Sequence, residues 1–159
     1  MSKKHLFPLL ISILIVFSAG FISSLFTTPN ISTWYAFIIK PSFSPPNWLF
    51  APAWSLLYIL MAVAAFLVWN KRNNPKTKSA LMFYGIQLIL NALWSIIFFG
   101  MHNPGLAFLE IIFLWSFILI TLIKFYKINK TAGLLFIPYI LWVSFASILN
   151  LFVWMINIS

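Results

Sequence analysis

Apolar residues in this chain do not alternate with polar ones or recur every three or four positions. They fill whole runs, and the polar residues collect between the runs. Five such runs stand out, over about 6–26, 47–69, 79–100, 104–125 and 132–154. As a helix the first would be about 31 Å long, which matches a hydrocarbon core of roughly 30 Å. Lipid offers no hydrogen-bond partner to an open backbone group, so each run is predicted to be a helix rather than a strand. The expected fold is an all-α integral membrane protein, a bundle of five transmembrane helices in one domain over 1–159. The short gap after Gly100 forces the third and fourth helices into an antiparallel hairpin. Pro52 and Pro138 fall inside the second and fifth runs, where each would free a carbonyl and kink its helix.

The first run has a rival reading as a signal peptide, with Lys3, Lys4 and His5 before it and Ser18-Ala19-Gly20 as a cleavage site. The apolar character continues through Phe21, Ile22, Leu25 and Phe26, which favours a retained helix.

Composition narrows the class further. Of the 159 residues, 63% are hydrophobic and 7% charged, against roughly a quarter charged in ordinary soluble domains. So few polar groups cannot coat a water-facing surface. A net charge of +9 would suggest nucleic acid in a soluble protein. Here the basic residues sit in short loops beside apolar runs, the pattern of membrane topology, and no nucleic-acid partner is expected. Lys3, Lys4, Lys71, Arg72, Lys76, Lys78, Lys124, Lys127 and Lys130 fall on one side, and only Lys40 on the other. The positive-inside rule then places the N-terminus inside, the C-terminus outside, and the loop 27–46 outward. A bacterial cell membrane is the expected location.

That loop leads into the stretch on which the chain is organised. Between Trp34 and Tyr58 stand Pro41, Pro45, Pro46 and Pro52 with Trp34, Trp48 and Trp54. Prolines hold the backbone out of regular helix and stiffen it without a hydrogen-bond ladder. Ser44 is expected to cap the second helix, with Pro45 at its first position. The segment reads as a rigid aromatic lid.

Candidate chemistry is sparse. Glu110 is the only acidic residue, and a charge at its depth costs a few kcal/mol unless it faces a cavity or a partner. It is either a polar anchor for a ligand or a residue paired near the interface with Lys40 or a tryptophan N–H. Without a second carboxylate there is no general acid/base pair. With no cysteine or aspartate, and with His5 and His102 at opposite ends, no metal cluster or Ser/His/Asp set can form, and no cofactor is expected. The third run carries Gln87, Asn91, Trp94 and Ser95 on one helical stripe. The second repeats Phe50, Trp54 and Tyr58, and the fifth sets Trp142 beside Ala146, Leu149 and Asn150. Large rings next to small residues leave room for a flat, apolar small molecule. Trp34, Trp48, Trp69 and Trp154 suit an interfacial belt; Trp54, Trp94, Trp115 and Trp142 lie deeper.

At these residues the sequence resembles the translocator protein/tryptophan-rich sensory protein (TspO) family, once called peripheral benzodiazepine receptors. The matching pieces are Trp34-Tyr35, Lys40-Pro41-Ser42, Pro45-Pro46-x-Trp48, Ala51-Pro52-x-Trp54-x-x-Leu57-Tyr58, Gln87-x-x-x-Asn91-x-x-Trp94, Phe98-Phe99-Gly100 and Pro138-Tyr139-x-x-Trp142-x-x-Phe145-Ala146-x-x-Leu149-Asn150. The resemblance implies a five-helix bundle, commonly a homodimer, with a ligand cavity beneath the first loop. It implies binding of porphyrins such as protoporphyrin IX, of sterols in animal members, and of synthetic isoquinoline carboxamides and benzodiazepines. Ligand-binding positions carried over from the family are Ser24, Thr27, Phe50, Ala51, Trp54, Asn91, Trp94, Leu106, Glu110, Phe113, Trp142, Ala146 and Leu149. Some bacterial members are proposed to degrade protoporphyrin IX in light and oxygen, and the two participating tryptophans match Trp54 and Trp142. Animal members carry aspartate at Glu110 and tryptophan at Leu106. The C-terminal sterol pattern of animal members lacks its tyrosine and basic residue here. An ionised Glu110 would repel porphyrin propionates, so a protonated Glu110, or one facing the ring nitrogens, is expected.

Overall fold

The computed structural model describes residues 3–158, with side chains from Leu6 onward. The side chains of Lys3, Lys4 and His5, used in the charge count and the metal argument, lie outside the described residues. Helix α1 covers Lys3–Ile31 and a short α2 covers Trp34–Phe37. A 3-10 turn, Asn47–Leu49, leads into α3, Phe50–Trp69. Helix α4, Thr77–Ser95, continues through one π turn, Ile96–Gly100. Then follow α5 (Pro104–Ile128), α6 (Lys130–Leu134) and α7 (Ile137–Ile156). No strand occurs among the described residues. Five segments are long and apolar enough to cross a membrane: Leu6–Ile31, Asn47–Trp69, Thr77–Gly100, Pro104–Ile128 and Lys130–Ile156. This is a multi-pass, all-helical membrane protein.

Helix α1 packs on α3 and α4, α4 on α5, and α5 on α7, while α6 wedges against α3 and α5. Leu14, Ile89, Leu141 and other large apolar side chains point outward, as a lipid-facing surface requires. The interior holds two apolar clusters. One is built on Val16, Met61, Val68, Ile118, Phe125 and Tyr139, and the other, nearer the lid, on Tyr35, Phe98, Phe99, Ala107 and Val153. The hairpin between α4 and α5 closes through His102, whose φ of 51° lies in the left-handed region. Asn103 then caps α5, its side-chain oxygen accepting the Leu106 N–H at 2.9 Å, with Pro104 just inside the helix, where a missing N–H costs nothing.

Local geometry departs from the sequence expectation in three places. Helix α1 runs on to Ile31 rather than stopping at 26. Its polar end stays helical because Ser23, Thr27, Asn30 and Thr33 each donate to the carbonyl four residues back, at 2.8–3.1 Å, so the side chains satisfy themselves on the helix. Secondly, Ser44 does not cap a helix. The 3-10 turn is preceded by Pro46 in extended conformation (ψ 145°), and the Ser44 hydroxyl is buried without a partner. A residue before proline is driven out of the α region, so Pro46 forbids Pro45 from starting the helix. Thirdly, Pro52 and Pro138 stand in the first turns of α3 and α7. The last span therefore breaks into α6 and α7 before Pro138 instead of kinking at it.

Candidate functional site

Between the two apolar clusters, under the lid, lies a cavity of about 470 Å³, within the 300–1,000 Å³ range of small-molecule sites. Each wall follows from a helical stripe. From α1 come Ser24 and Thr27, from α3 Phe50, Ala51 and Trp54, from α4 Asn91 and Trp94, and from α7 Trp142, Ala146 and Leu149. Leu106, Glu110 and Phe113 do not border it. Helix α5 turns Ile111 and Leu114 to the cavity instead. At 100° per residue, Phe113 stands about 200° and Leu106 about 140° round the helix from Ile111. Both are exposed, at 63% and 41%. Glu110 is buried, and neither carboxyl oxygen has a hydrogen-bond partner among the described residues. Lys40 does not reach it: its ammonium donates to the Tyr35 carbonyl at 2.6 Å.

Three indoles face the hollow, each set by a different contact. Trp54 lies 5.5 Å from the ring of Tyr58 and edge-on to Tyr139 at 6.2 Å. Trp142 meets Phe50 edge-on at 6.1 Å. Trp94 stacks on Phe98 at 4.9 Å, and its Nε1–H donates to the Asn150 side-chain oxygen at 3.0 Å. Asn150 in turn donates to the Pro104 carbonyl at 2.7 Å, which ties α4, α7 and the start of α5 together. Trp115 is placed elsewhere, donating to Ser144 at 2.8 Å between α5 and α7. Among the belt candidates, Trp48 and Trp69 are exposed, whereas Trp34 stacks on His102 and Trp154 on Phe108.

Beneath Trp54 runs a buried polar chain. The Tyr58 hydroxyl donates to Asn91 Oδ1 at 3.2 Å, Asn91 Nδ2 donates to the Tyr139 oxygen at 3.2 Å, and the Tyr139 hydroxyl donates to Gln87 Oε1 at 3.0 Å. These polar atoms satisfy one another, as buried ones must. Among the described residues, no charged side chain borders the cavity. What it offers a ligand is therefore aromatic and apolar surface, with amides and hydroxyls as a minor polar component.

The roof is Tyr35 on α2, and the proline stretch carries the chain from there to Asn47, which borders the cavity just before α3. Tyr35 is buried, and burial pushes its hydroxyl above the ordinary tyrosine range. The Lys40 ammonium lies 4.5 Å over the Tyr35 ring, a cation–π contact that reinforces the bond to its carbonyl. Sequence reasoning missed Phe17, Gly20 and Phe21 on α1, which border the cavity, whereas Tyr58 and Asn150, picked out by their helical spacing, border it as expected. For α1 the available signal was the row Phe17, Phe21, Ser24 and Thr28 at helical spacing, one polar-edged face on an apolar helix.

The sequence profile of the TspO/MBR family matches residues 12–155. A tryptophan-rich protein TspO of Archaeoglobus fulgidus is 41% identical over 155 residues, covering 96% of this chain and 99% of that protein. A tryptophan-rich sensory protein of Cereibacter sphaeroides is 38% identical, covering 74% of this chain and 72% of its own. The human translocator protein is 34% identical over 86% of this chain and 82% of its own. With a matching profile over nearly the whole length and full-length relatives this similar, the chain belongs to the TspO/MBR family.

Proposed function

We propose that this protein is a membrane receptor or sensor that binds porphyrins, or related flat apolar molecules, in the cavity under the lid. The observation that carries the reading is the convergence of Trp54, Trp94 and Trp142 on one uncharged hollow, since aromatic faces stack on a planar macrocycle. With no cation on the walls, the propionates of such a ligand would lie toward the rim. In this reading the lid faces outward across a bacterial cell membrane, as the loop charges support. The family resemblance supports a homodimer. A shallow apolar groove lined by Ser18, Ala19, Gly85 and Ala92 between α1 and α4 offers the small residues that let helices of two copies approach.

The test is titration of the protein in nanodiscs with protoporphyrin IX, read by tryptophan emission. One saturable site is expected. Trp54→Phe and Trp142→Phe should each weaken it about 2- to 12-fold, the equivalent of roughly 0.5–1.5 kcal/mol per aromatic contact. A linear partition no different from empty nanodiscs rejects the reading. A second reading, light- and oxygen-dependent porphyrin degradation, is favoured by the oxidisable indoles of Trp54 and Trp142 on the cavity wall. Illumination separates the two: a new product abolished by either substitution means chemistry, and quenching without product means binding.

A further inference from the structure

The roof of the cavity is fastened at a point far from its own ends. Asn157, just past α7, accepts the Ile39 N–H on Oδ1 at 3.2 Å and donates from Nδ2 to the Ile39 carbonyl at 2.9 Å. The same Nδ2 also donates to the Val153 carbonyl at 2.8 Å, which fixes the side chain on its helix. Both main-chain groups of a roof residue 118 positions away are thus taken by one amide, the pairing a neighbouring strand would give. Lys40 on the Tyr35 carbonyl and the Ser44 N–H on the Pro41 carbonyl at 3.0 Å hold the segment on either side.

The flank of the cavity is different. On α3, Ala51, Ser55, Tyr58 and Ala62 share one stripe at i, i+4, i+7 and i+11. The stripe meets α1 at its far end from the lid: Ser12 Oγ donates to the Ala62 carbonyl at 2.7 Å, and a Cβ on Gly20 would overlap the Tyr58 ring. Toward the lid the α3 row shrinks from Tyr58 to Ser55 and Ala51, and α1 brings the small side chains of Ser24 and Thr28 to the same cavity. Phe21, Thr28, Ala51 and Ser55 border the cavity and are exposed at the same time. A residue that is both wall and surface marks an opening, and the exposed wall residues lie on α1, on α3 and at Asn47 just before it. This slot lies within the membrane-crossing segments.

We propose that Asn157 is the positioning residue of a fixed roof, and that ligand exchanges sideways from the bilayer through the α1–α3 slot rather than through the lid. The inference rests on the porphyrin-binding reading above. An apolar macrocycle concentrates in hydrocarbon, where the slot opens. Passage through the roof would break the two bonds to Ile39.

The experiment loads the full chain in nanodiscs with protoporphyrin IX and follows its dissociation into excess acceptor. Ser55→Phe plugs the slot and should slow association and dissociation together at least tenfold. Phe21→Trp narrows the same slot from α1 and should slow both in the same direction. Adding Asn157→Leu to Ser55→Phe frees the roof, restores dissociation to within threefold of the parent protein, and speeds hydrogen exchange at the Ile39 amide. A merely structural Asn157 would not produce that rescue. The proposal is overturned if neither slot variant changes the rates by twofold, or if Asn157→Leu fails to rescue the plugged protein. Absence of saturable binding by the parent protein would instead remove the reading beneath it.

Discussion

Tyr139→Phe takes a single oxygen from the centre of the bundle and tests what holds the cavity wall in place. Tyr139 is 0% exposed, and its hydroxyl both donates to Gln87 and accepts from Asn91. Phenylalanine preserves the ring contacts with Trp54 and Phe136 and removes both hydrogen bonds. Interhelical hydrogen bonds in membrane proteins average about 0.6 kcal/mol with a maximum near 1.7. Gln87 is fully buried and does not border the cavity, so it cannot turn to water for a substitute, and its orphaned oxygen carries a desolvation cost. The expected loss is about 1.5–3 kcal/mol, read by reversible unfolding in mixed micelles. In a Gln87→Leu background the same substitution should cost at least about 0.6 kcal/mol less, because one bond is already gone. Strict additivity, or a single-variant loss below about 0.5 kcal/mol, would refute the network as a structural tie between α4 and α7.

The remaining expectations concern glycines and the lone acid. In single chains dispersed in detergent, Gly85→Ala should stabilise by about 1 kcal/mol, since within one chain nothing among the described residues lies within 4 Å of the added carbon and alanine is the better helix former. Gly133→Ala should cost about 3 kcal/mol, because its Cβ would stand 2.6 Å and 2.8 Å from the backbone Cα and N of Tyr126, which cannot step aside; comparable melting temperatures for the two would sink this argument. Glu110→Leu removes two buried, unpartnered oxygens and should raise stability by about 1–3 kcal/mol while leaving protoporphyrin IX affinity within twofold. A tenfold loss of affinity would mean that the carboxyl reaches the ligand after all.

The apolar runs carried the architecture because a bilayer leaves the backbone one solution: a stretch long enough to cross and too apolar for water must be helical. That argument needs no tertiary information, and it places all five spans. Where polar and apolar residues mix, as from Thr27 to Thr33, composition suggested a loop. Only the helix's own carbonyls, within reach of each hydroxyl, made the polar residues compatible with a longer α1. Prolines show the same limit: their positions were legible, but whether one kinks a helix or begins it depends on where the preceding turn ends.

The site divides along similar lines. Periodicity and family motif named the rings of α3, α4 and α7, because identity and spacing along one helix fix which residues share its face. How helices rotate against their neighbours is not written locally, and so α5 offers Ile111 and Leu114 where the motif named Leu106, Glu110 and Phe113. The sequence alone determined a five-helix membrane bundle with a stripe of indoles inside it. The tertiary structure alone decided which face of α5 meets the hollow, that an amide 118 residues away fastens the roof, and that the flank between α1 and α3 stands open, since each depends on contacts between segments that no single helix specifies.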